Sequence, residues 1–151
     1  MTIPESLTDC PYYLITRASL TSTAYLKREL AEAGVTQVRP AYLGVLMSLW
    51  REDGLKVVDL GRRAGLEPST MTGMLDRMER DGLLARHPDP EDRRAQRIML
   101  TDEGRSMQKQ VEDVVDRTLV GILDGVAKRD IELLKKTLRH VLANTHGSSK
   151  S

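Results

Sequence analysis

Three groups of side chains in this sequence have types and spacings suited to chemistry. The first is Ser69, Thr70, Thr72, Gly73, Asp76, Arg77 and Arg80, interleaved with Met71, Met74, Leu75 and Met78. The apolar members repeat at i, i+3, i+4 and i+7, so a helix here buries them and turns the hydroxyls and guanidinium forks outward. Such a face can hydrogen-bond base edges and phosphates in a DNA major groove. The second group is Arg86, Arg93, Arg94 and Arg97, concentrated on one short stretch. An exposed arginine on a protruding loop can enter a narrow minor groove, where the negative potential is strong and no base-specific bond is needed. The third is Cys10, directly before Pro11 and hence at an expected helix start, where the dipole favours a reactive thiolate.

Each group also has a plainer use. A methionine stripe is ordinary core, and only that role is assigned to it. Ser69 and Thr70 can cap a helix as well as touch bases, and capping is the safer half of that expectation. Arg77 and Arg80 can pair with Asp76, Glu79 and Asp81 on a solvated face. Asp89, Glu91 and Asp92 can join the arginines merely to keep an exposed hairpin from aggregating. A lone cysteine is more often inert.

The surrounding elements favour recognition. A helix-turn-helix needs small residues where two steeply crossing helices touch and a turn glycine free to adopt a left-handed backbone; Gly61, Ala64 and Gly65 stand at those places. Periodicity predicts a first helix from Tyr12 to Ala33, a second from Pro40 through Trp50 closed by Gly54, a third over Lys56–Ala64 and a fourth over Pro68–Asp81 capped by Gly82. Leu83–His87 and Arg97–Leu100 read as the strands of a hairpin with turn residues between them. Thr101 can cap the next helix, with Asp102 and Glu103 in its first turn. The stripe from Met107 to Ile122 then predicts one long helix, and the stripe from Ile131 to Leu142 a last one after Gly125. The tail from Gly147 is polar and expected to fray. The helices at the two ends carry apolar faces without an obvious partner in the middle block, so they pack together or against a second copy.

Composition narrows the function classes. The chain has 151 residues, 40% of them hydrophobic, with 23 Lys+Arg against 22 Asp+Glu and a net charge of +1, so any nucleic-acid reading rests on charge placement and not on the total. Aromatics make up 3%, all in the first third, and residues 51–151 have none on which to stack single-stranded bases. One cysteine excludes an intramolecular disulfide and a cysteine-based zinc site. His87, His140 and His146 have no metal-ligand spacing, and neither a phosphate loop nor a nucleophile motif is present, so the chain reads as neither an enzyme nor a cofactor or metal binder. Glu5 and Asp9 near the start, with no basic start and apolar run, give no signal peptide, and no apolar stretch suggests a membrane span. A cytoplasmic location with no membrane partner is expected.

The run from Ala41 to Gly104 resembles the winged helix-turn-helix of the MarR family, the multiple-antibiotic-resistance type of bacterial regulator. The wing motif, Asp-x-Arg followed at a fixed distance by Leu-Thr, is matched by Asp92, Arg94, Leu100 and Thr101, and the recognition-helix signature by Pro68, Ser69, Thr70, Thr72, Asp76, Arg77 and Gly82. The resemblance implies a mainly α fold with a small β-hairpin wing, a winged helix-turn-helix over 40–101 flanked by dimerisation helices over 1–39 and 102–147, and a polar tail over 148–151. It implies a homodimeric transcriptional regulator, a repressor of promoters, that binds a palindromic double-stranded operator. Ser69, Thr70, Thr72 and Arg77 would reach bases or phosphates in the major groove and Arg94 the minor groove; Gly73, Arg86 and Arg93 complete the expected DNA-contacting set. Asp92 would orient a neighbouring arginine. Gly73 departs from many relatives, which carry a longer side chain there.

Release by a small aromatic or phenolic ligand is also implied, with Tyr12, Tyr13, Arg17, Tyr42, Met47 and Trp50 as candidate lining, although Tyr42 and Trp50 taken singly read as core. An alternative is redox sensing through Cys10, with Tyr25 and Tyr42 as candidate tyrosine partners. A further alternative, from another class, is a winged-helix module for protein–protein contacts without DNA binding; such a module has no need of Arg93 and Arg94 at the wing tip.

Overall fold

The computed structural model describes residues 7–146. The expected polar tail and Glu5 lie outside them. Two units divide after Thr118 and are described separately.

In the first unit, a 3-10 turn (Leu7–Asp9) leads into helix α1 (Pro11–Glu32). Cys10 is its N-cap, the Tyr13 N–H donating to Sγ at 3.4 Å, and Pro11 supplies a first-turn residue with no N–H to satisfy. Gly34, at φ +74°, ends the helix, and the Val35 N–H donates back to Leu30 O at 2.9 Å. The expected second helix starts as a 3-10 turn (Pro40–Tyr42) and becomes α2 only over Leu43–Arg51. Gly54 does not close it. Its N–H donates to Ile98 O at 3.1 Å, at the entry to a strand that periodicity could not reveal, β1 (Leu55–Lys56). Two residues carry no alternation pattern; their pairing with Ile98 and Arg97 identifies them.

Helices α3 (Val57–Ala64) and α4 (Pro68–Arg80) form the helix-turn-helix. Gly65 takes the left-handed conformation, φ +70°. A Cβ on Gly61 would lie 3.2 Å from Met71 Cγ and 3.3 Å from Leu66 O, so hydrogen is what allows α3 and α4 to cross this closely. Met71, Met74, Leu75 and Met78 are all buried, as their spacing predicts. Strands β2 (Leu84–Pro88) and β3 (Gln96–Leu100) are antiparallel, with Leu84 opposite Leu100 and Pro88 opposite Gln96. With β1 on the far side of β3, the expected two-stranded hairpin is a three-stranded sheet of order β1-β3-β2.

The stripe from Met107 to Ile122 does not form one helix with the Thr101-capped turn. Thr101 Oγ1 accepts from the Gly104 N–H at 3.0 Å and starts α5 (Asp102–Ser106), which breaks at Met107 before α6 (Gln108–Ile122). Trp50 Nε1 donates to Gly104 O at 2.9 Å. A Cβ on Gly104 would overlap the Leu83 carbonyl oxygen, so α5 is seated directly on the chain entering β2. Leu30, Tyr42, Leu46, Leu49, Leu60, Met78, Leu83, Ile98, Val111 and Val114 belong to one continuous buried cluster, which fixes the helix-turn-helix and sheet against α1, α2 and α6.

The second unit comprises the end of α6 and helix α7 (Lys128–His146), with Gly125 at φ +76° before it. Leu133, Leu134, Leu138, Val141 and Leu142 of α7 are exposed. Among the described residues no helix is long and apolar enough to cross a membrane.

Candidate nucleic-acid interface

The outer face of α4 and the wing tip each carry polar side chains without partners among the described residues. Ser69 and Thr70 do not cap α4. The N-cap is Glu67 without a side-chain bond, because Pro68 occupies the first helical position and carries the two hydroxyl residues into the helix. Both are exposed and neither makes a side-chain hydrogen bond with the described residues. Thr72 Oγ1 donates to Pro68 O at 3.2 Å and can still accept.

The plainer alternative, Arg77 and Arg80 paired with neighbouring acids, is not what forms among the described residues. Arg86, on β2, takes the acids instead: its guanidinium donates to Asp76 Oδ1 at 2.7 Å, to Glu79 Oε1 at 3.1 Å and to Thr72 O at 3.5 Å, and the Arg86 N–H donates to Glu79 Oε2 at 3.0 Å. Its side chain is 20% exposed. Arg86 therefore clamps the base of the wing to α4 and neutralises carboxylates that would otherwise repel phosphate. Asp81 accepts from the Tyr42 hydroxyl at 2.8 Å. Burial raises the Tyr42 pKa, and the bond to Asp81 raises it further. Arg77 and Arg80 are left exposed without an ion pair among the described residues.

The wing repeats this division between its base and its tip. At the base, Arg97 Nε donates to Asp89 Oδ2 at 2.8 Å and Nη1 to Gly54 O at 2.9 Å, and Lys56 Nζ stands 4.0 Å from Asp89. Asp89 is no solubility device. It is buried, and its Oδ1 accepts from the Glu91 N–H at 2.8 Å and the Asp92 N–H at 3.0 Å. The Glu91 N–H is the main cause holding its pKa below the usual carboxylate value; burial opposes this, while the Asp92 N–H and Arg97 reinforce it. At the tip, Ala95 N–H donates to Asp92 O at 3.1 Å, closing a turn whose two central residues are Arg93 and Arg94. Asp92 Oδ1 accepts the Arg94 backbone N–H at 2.9 Å, so it orients that arginine through the main chain. The side chains of Arg93 and Arg94 are exposed and make no ion pair with the described residues.

Asp53 is a second anchor that sequence reasoning passed over. Its Oδ1 accepts from the Gly54 and Leu100 N–H groups, each at 2.9 Å, and Arg105 Nη2 donates to Oδ2 at 3.3 Å. An aspartate opening a turn beside Pro90 was a visible signal for Asp89; nothing local distinguishes Asp53, whose partners lie on β3 and α5.

The candidate effector residues are not brought into one cavity of the chain. Tyr12 and Arg17 are exposed on α1, Tyr13 is 38% exposed, Tyr42 lies in the core, Trp50 is half-buried on Gly104, and Met47 opens on a shallow cavity of about 530 Å³ beside Ser48, Arg51 and Arg63. A cavity of about 600 Å³ at the C-terminal end of α1 is lined instead by residues such as Leu30, Val35, Val38, Lys27 and Arg39. Cys10 is half-exposed at the start of α1. Fourteen helical residues lie between it and Tyr25, roughly 22 Å of rise, so these two cannot meet within one chain. Among the described residues no cluster of three or more His, Cys, Asp or Glu could hold a metal.

Comparison with known proteins points to one family. Residues 40–95 match the model of the MarR family. Over 134 residues, 89% of this chain and 88% of the other, the sequence is 32% identical to the organic hydroperoxide resistance transcriptional regulator of Bacillus subtilis (strain 168). It is 40% identical over 112 residues to the HTH-type transcriptional regulator TtmR of Methylorubrum extorquens (strain PA1), covering 74% of this chain and 56% of that one. Among solved structures, the transcriptional repressor CouR bound to a 23-mer DNA duplex has a TM-score of 0.81 at 24% identity, over 94% of this chain and 99% of that one.

Proposed function

The chain belongs to the MarR family and is a DNA-binding transcriptional regulator, and on that premise we propose that it is a homodimeric repressor of a palindromic operator, released by a small effector. Two copies related by a two-fold axis would place their α4 helices in successive major grooves, with half-site centres about 10 base pairs apart. Ser69, Thr70, Thr72 and Arg77 would meet bases or phosphates there, and Arg94, with Arg93, would enter the flanking minor groove. Arg86 acts behind this surface as the clamp of the wing. The observation that carries the reading is the contrast in charge pairing. Arg86 and Arg97 are matched by acids, whereas Arg77, Arg93 and Arg94 are held out unmatched on one block. A protein–protein module has no use for that arrangement at the tip.

The test is selection of bound sequences from random duplex DNA, repeated with aromatic acids and with peroxides. Enrichment of a two-fold symmetric site supports the reading, and a flat affinity between low and moderate salt counts against it. An aromatic or phenolic ligand remains the proposed effector class, and contacts from a second copy would be needed to gather Tyr12, Tyr13 and Arg17 around it.

A second reading, redox release, draws on the position of Cys10 at the N-cap of α1, with a backbone N–H on its sulfur, and on the likeness to an organic hydroperoxide resistance regulator. Mass spectrometry after stoichiometric peroxide, with DNA binding followed in parallel, decides it: oxidised protein that binds unchanged removes the idea.

A further inference from the structure

Resting on the reading that Arg93 and Arg94 enter a minor groove, we infer that Asp89 is a positioning residue for DNA binding, with its two carboxylate oxygens assigned to separate tasks. Oδ1 orders the wing tip that presents the arginines, and Oδ2 anchors the wing base. An exposed tip bearing two long cationic side chains loses conformational freedom when it binds, and that loss weakens a complex unless the order is already built in. Here it is built in around one fully buried side chain. Pro90 has no N–H, so the next donors the chain can aim back at Asp89 are those of Glu91 and Asp92, and both reach Oδ1, at 2.8 and 3.0 Å. The Asp89 N–H donates to Ala95 O at 3.1 Å and closes the neck of the loop. From there the order passes outward. Asp92, held at its own N–H, accepts the Arg94 N–H on Oδ1 at 2.9 Å, and its carbonyl accepts from the Ala95 N–H at 3.1 Å. Two hydrogen bonds thus link the buried oxygen to the backbone of Arg94.

The partners of Oδ2 lie elsewhere. Arg97 Nε donates to it at 2.8 Å from β3, and Lys56 Nζ stands 4.0 Å away on β1. Arg97 is also held by Gly54 O, so it keeps a partner if the carboxylate is lost. This division makes the two tasks separable by chemistry. An asparagine at 89 retains one acceptor oxygen for the Glu91 and Asp92 N–H groups but turns a donor amide toward Arg97. An alanine loses both. Stability should therefore fall in both variants, whereas DNA affinity should fall only where the acceptor for the tip is gone.

The test is anisotropy titration of the duplex that the wild type selects from random DNA, with thermal melting measured alongside and binding read below every melting temperature. Asp89→Asn and Asp89→Ala are compared in the wild-type chain, and Asp89→Ala also in a chain carrying Arg93→Ala and Arg94→Ala. Both single variants should melt below the wild type. Asp89→Ala should bind on the order of tenfold more weakly, and Asp89→Asn within about twofold of wild type despite its lower melting point. Without the tip arginines, Asp89→Ala should change affinity by less than about twofold, because a positioning residue has no effect once the groups it positions are removed. A purely structural Asp89 predicts the opposite pattern, affinity following melting temperature in both variants and an equal loss in both backgrounds. Either result overturns the inference, and the Asp89→Asn arm decides it even where Asp89→Ala fails to fold. A selected duplex bound unchanged by Asp89→Ala overturns this inference alone, leaving the DNA reading standing. A wild type that selects no sequence overturns both.

Discussion

Arg94 and Arg86 are eight residues apart in one wing and differ in pairing: Arg86 has carboxylate partners, and Arg94 has none among the described residues. Removing them should therefore have different signatures. Arg94→Ala is expected to weaken operator binding by about 1–3 kcal/mol per half-site and to leave thermal stability within roughly 0.5 kcal/mol of wild type, as read by anisotropy titration and melting. Arg86→Ala should lower both, because it frees Asp76 and Glu79 to repel phosphate and unlatches the wing from α4. Asp89 gives a pH signature. Its folded pKa is depressed, so its contribution to stability is fully present above the ordinary carboxyl value of about 3.9 and is lost as pH falls through the lower folded value. Melting curves should show wild type above Asp89→Asn at neutral pH, and the gap should close below about pH 4; a gap independent of pH would refute the assignment.

At the scale of elements, two glycines set how closely the helices approach their neighbours. Gly61 admits Met71 at the α3–α4 crossing, and Gly104 admits the Leu83 carbonyl under α5. The second contact is the tighter, and the obstruction is backbone, which cannot swing aside as a side chain can. Gly104→Ala should cost about 3 kcal/mol or more in urea unfolding, a steeper loss than most overpacking substitutions. The displacement of α5 would also disturb the Trp50 bond to Gly104 and the Thr101 cap. The wing would lose its footing with them, since Leu100 and Thr101 lead directly from β3 into α5.

On the scale of the whole molecule, the near-balance of charge conceals a segregated distribution. Acids satisfy the arginines of the wing base and leave those of the tip and α4 unmatched, so operator binding should fall steeply with salt although the total is only +1. Exposed apolar residues stand on α1, Leu14 and Ile15 among them, and separately on α7, Leu134 and Leu138 among them; the α7 face is the one proposed to meet a second copy. Leu134→Glu combined with Leu138→Glu should convert the proposed dimer to monomer in sedimentation and abolish tight operator binding, while single-site phosphate contacts survive at low salt. A variant that stays dimeric would place the subunit interface elsewhere.

Patterns whose cause is local were legible in the sequence. The i, i+3, i+4, i+7 run of Met71 to Met78, the turn at Gly65 and the cap at Thr101 depend on neighbours within a few residues and form where their spacing places them; the hairpin strands form within a residue of their expected bounds. Strand β1 was not legible, because two residues have no period and acquire their conformation from β3. The partners of the charges were equally hidden. In sequence Arg86 is one basic residue among four and Asp89 one acid among several; the tertiary structure neutralises Arg86 and Arg97, buries Asp89 and leaves Arg93 and Arg94 without an ion pair among the described residues. Backbone conformation follows from short-range sterics and periodic burial, which a chain carries along its length. Charge pairing follows from distances between residues far apart in that length, and only folding sets those.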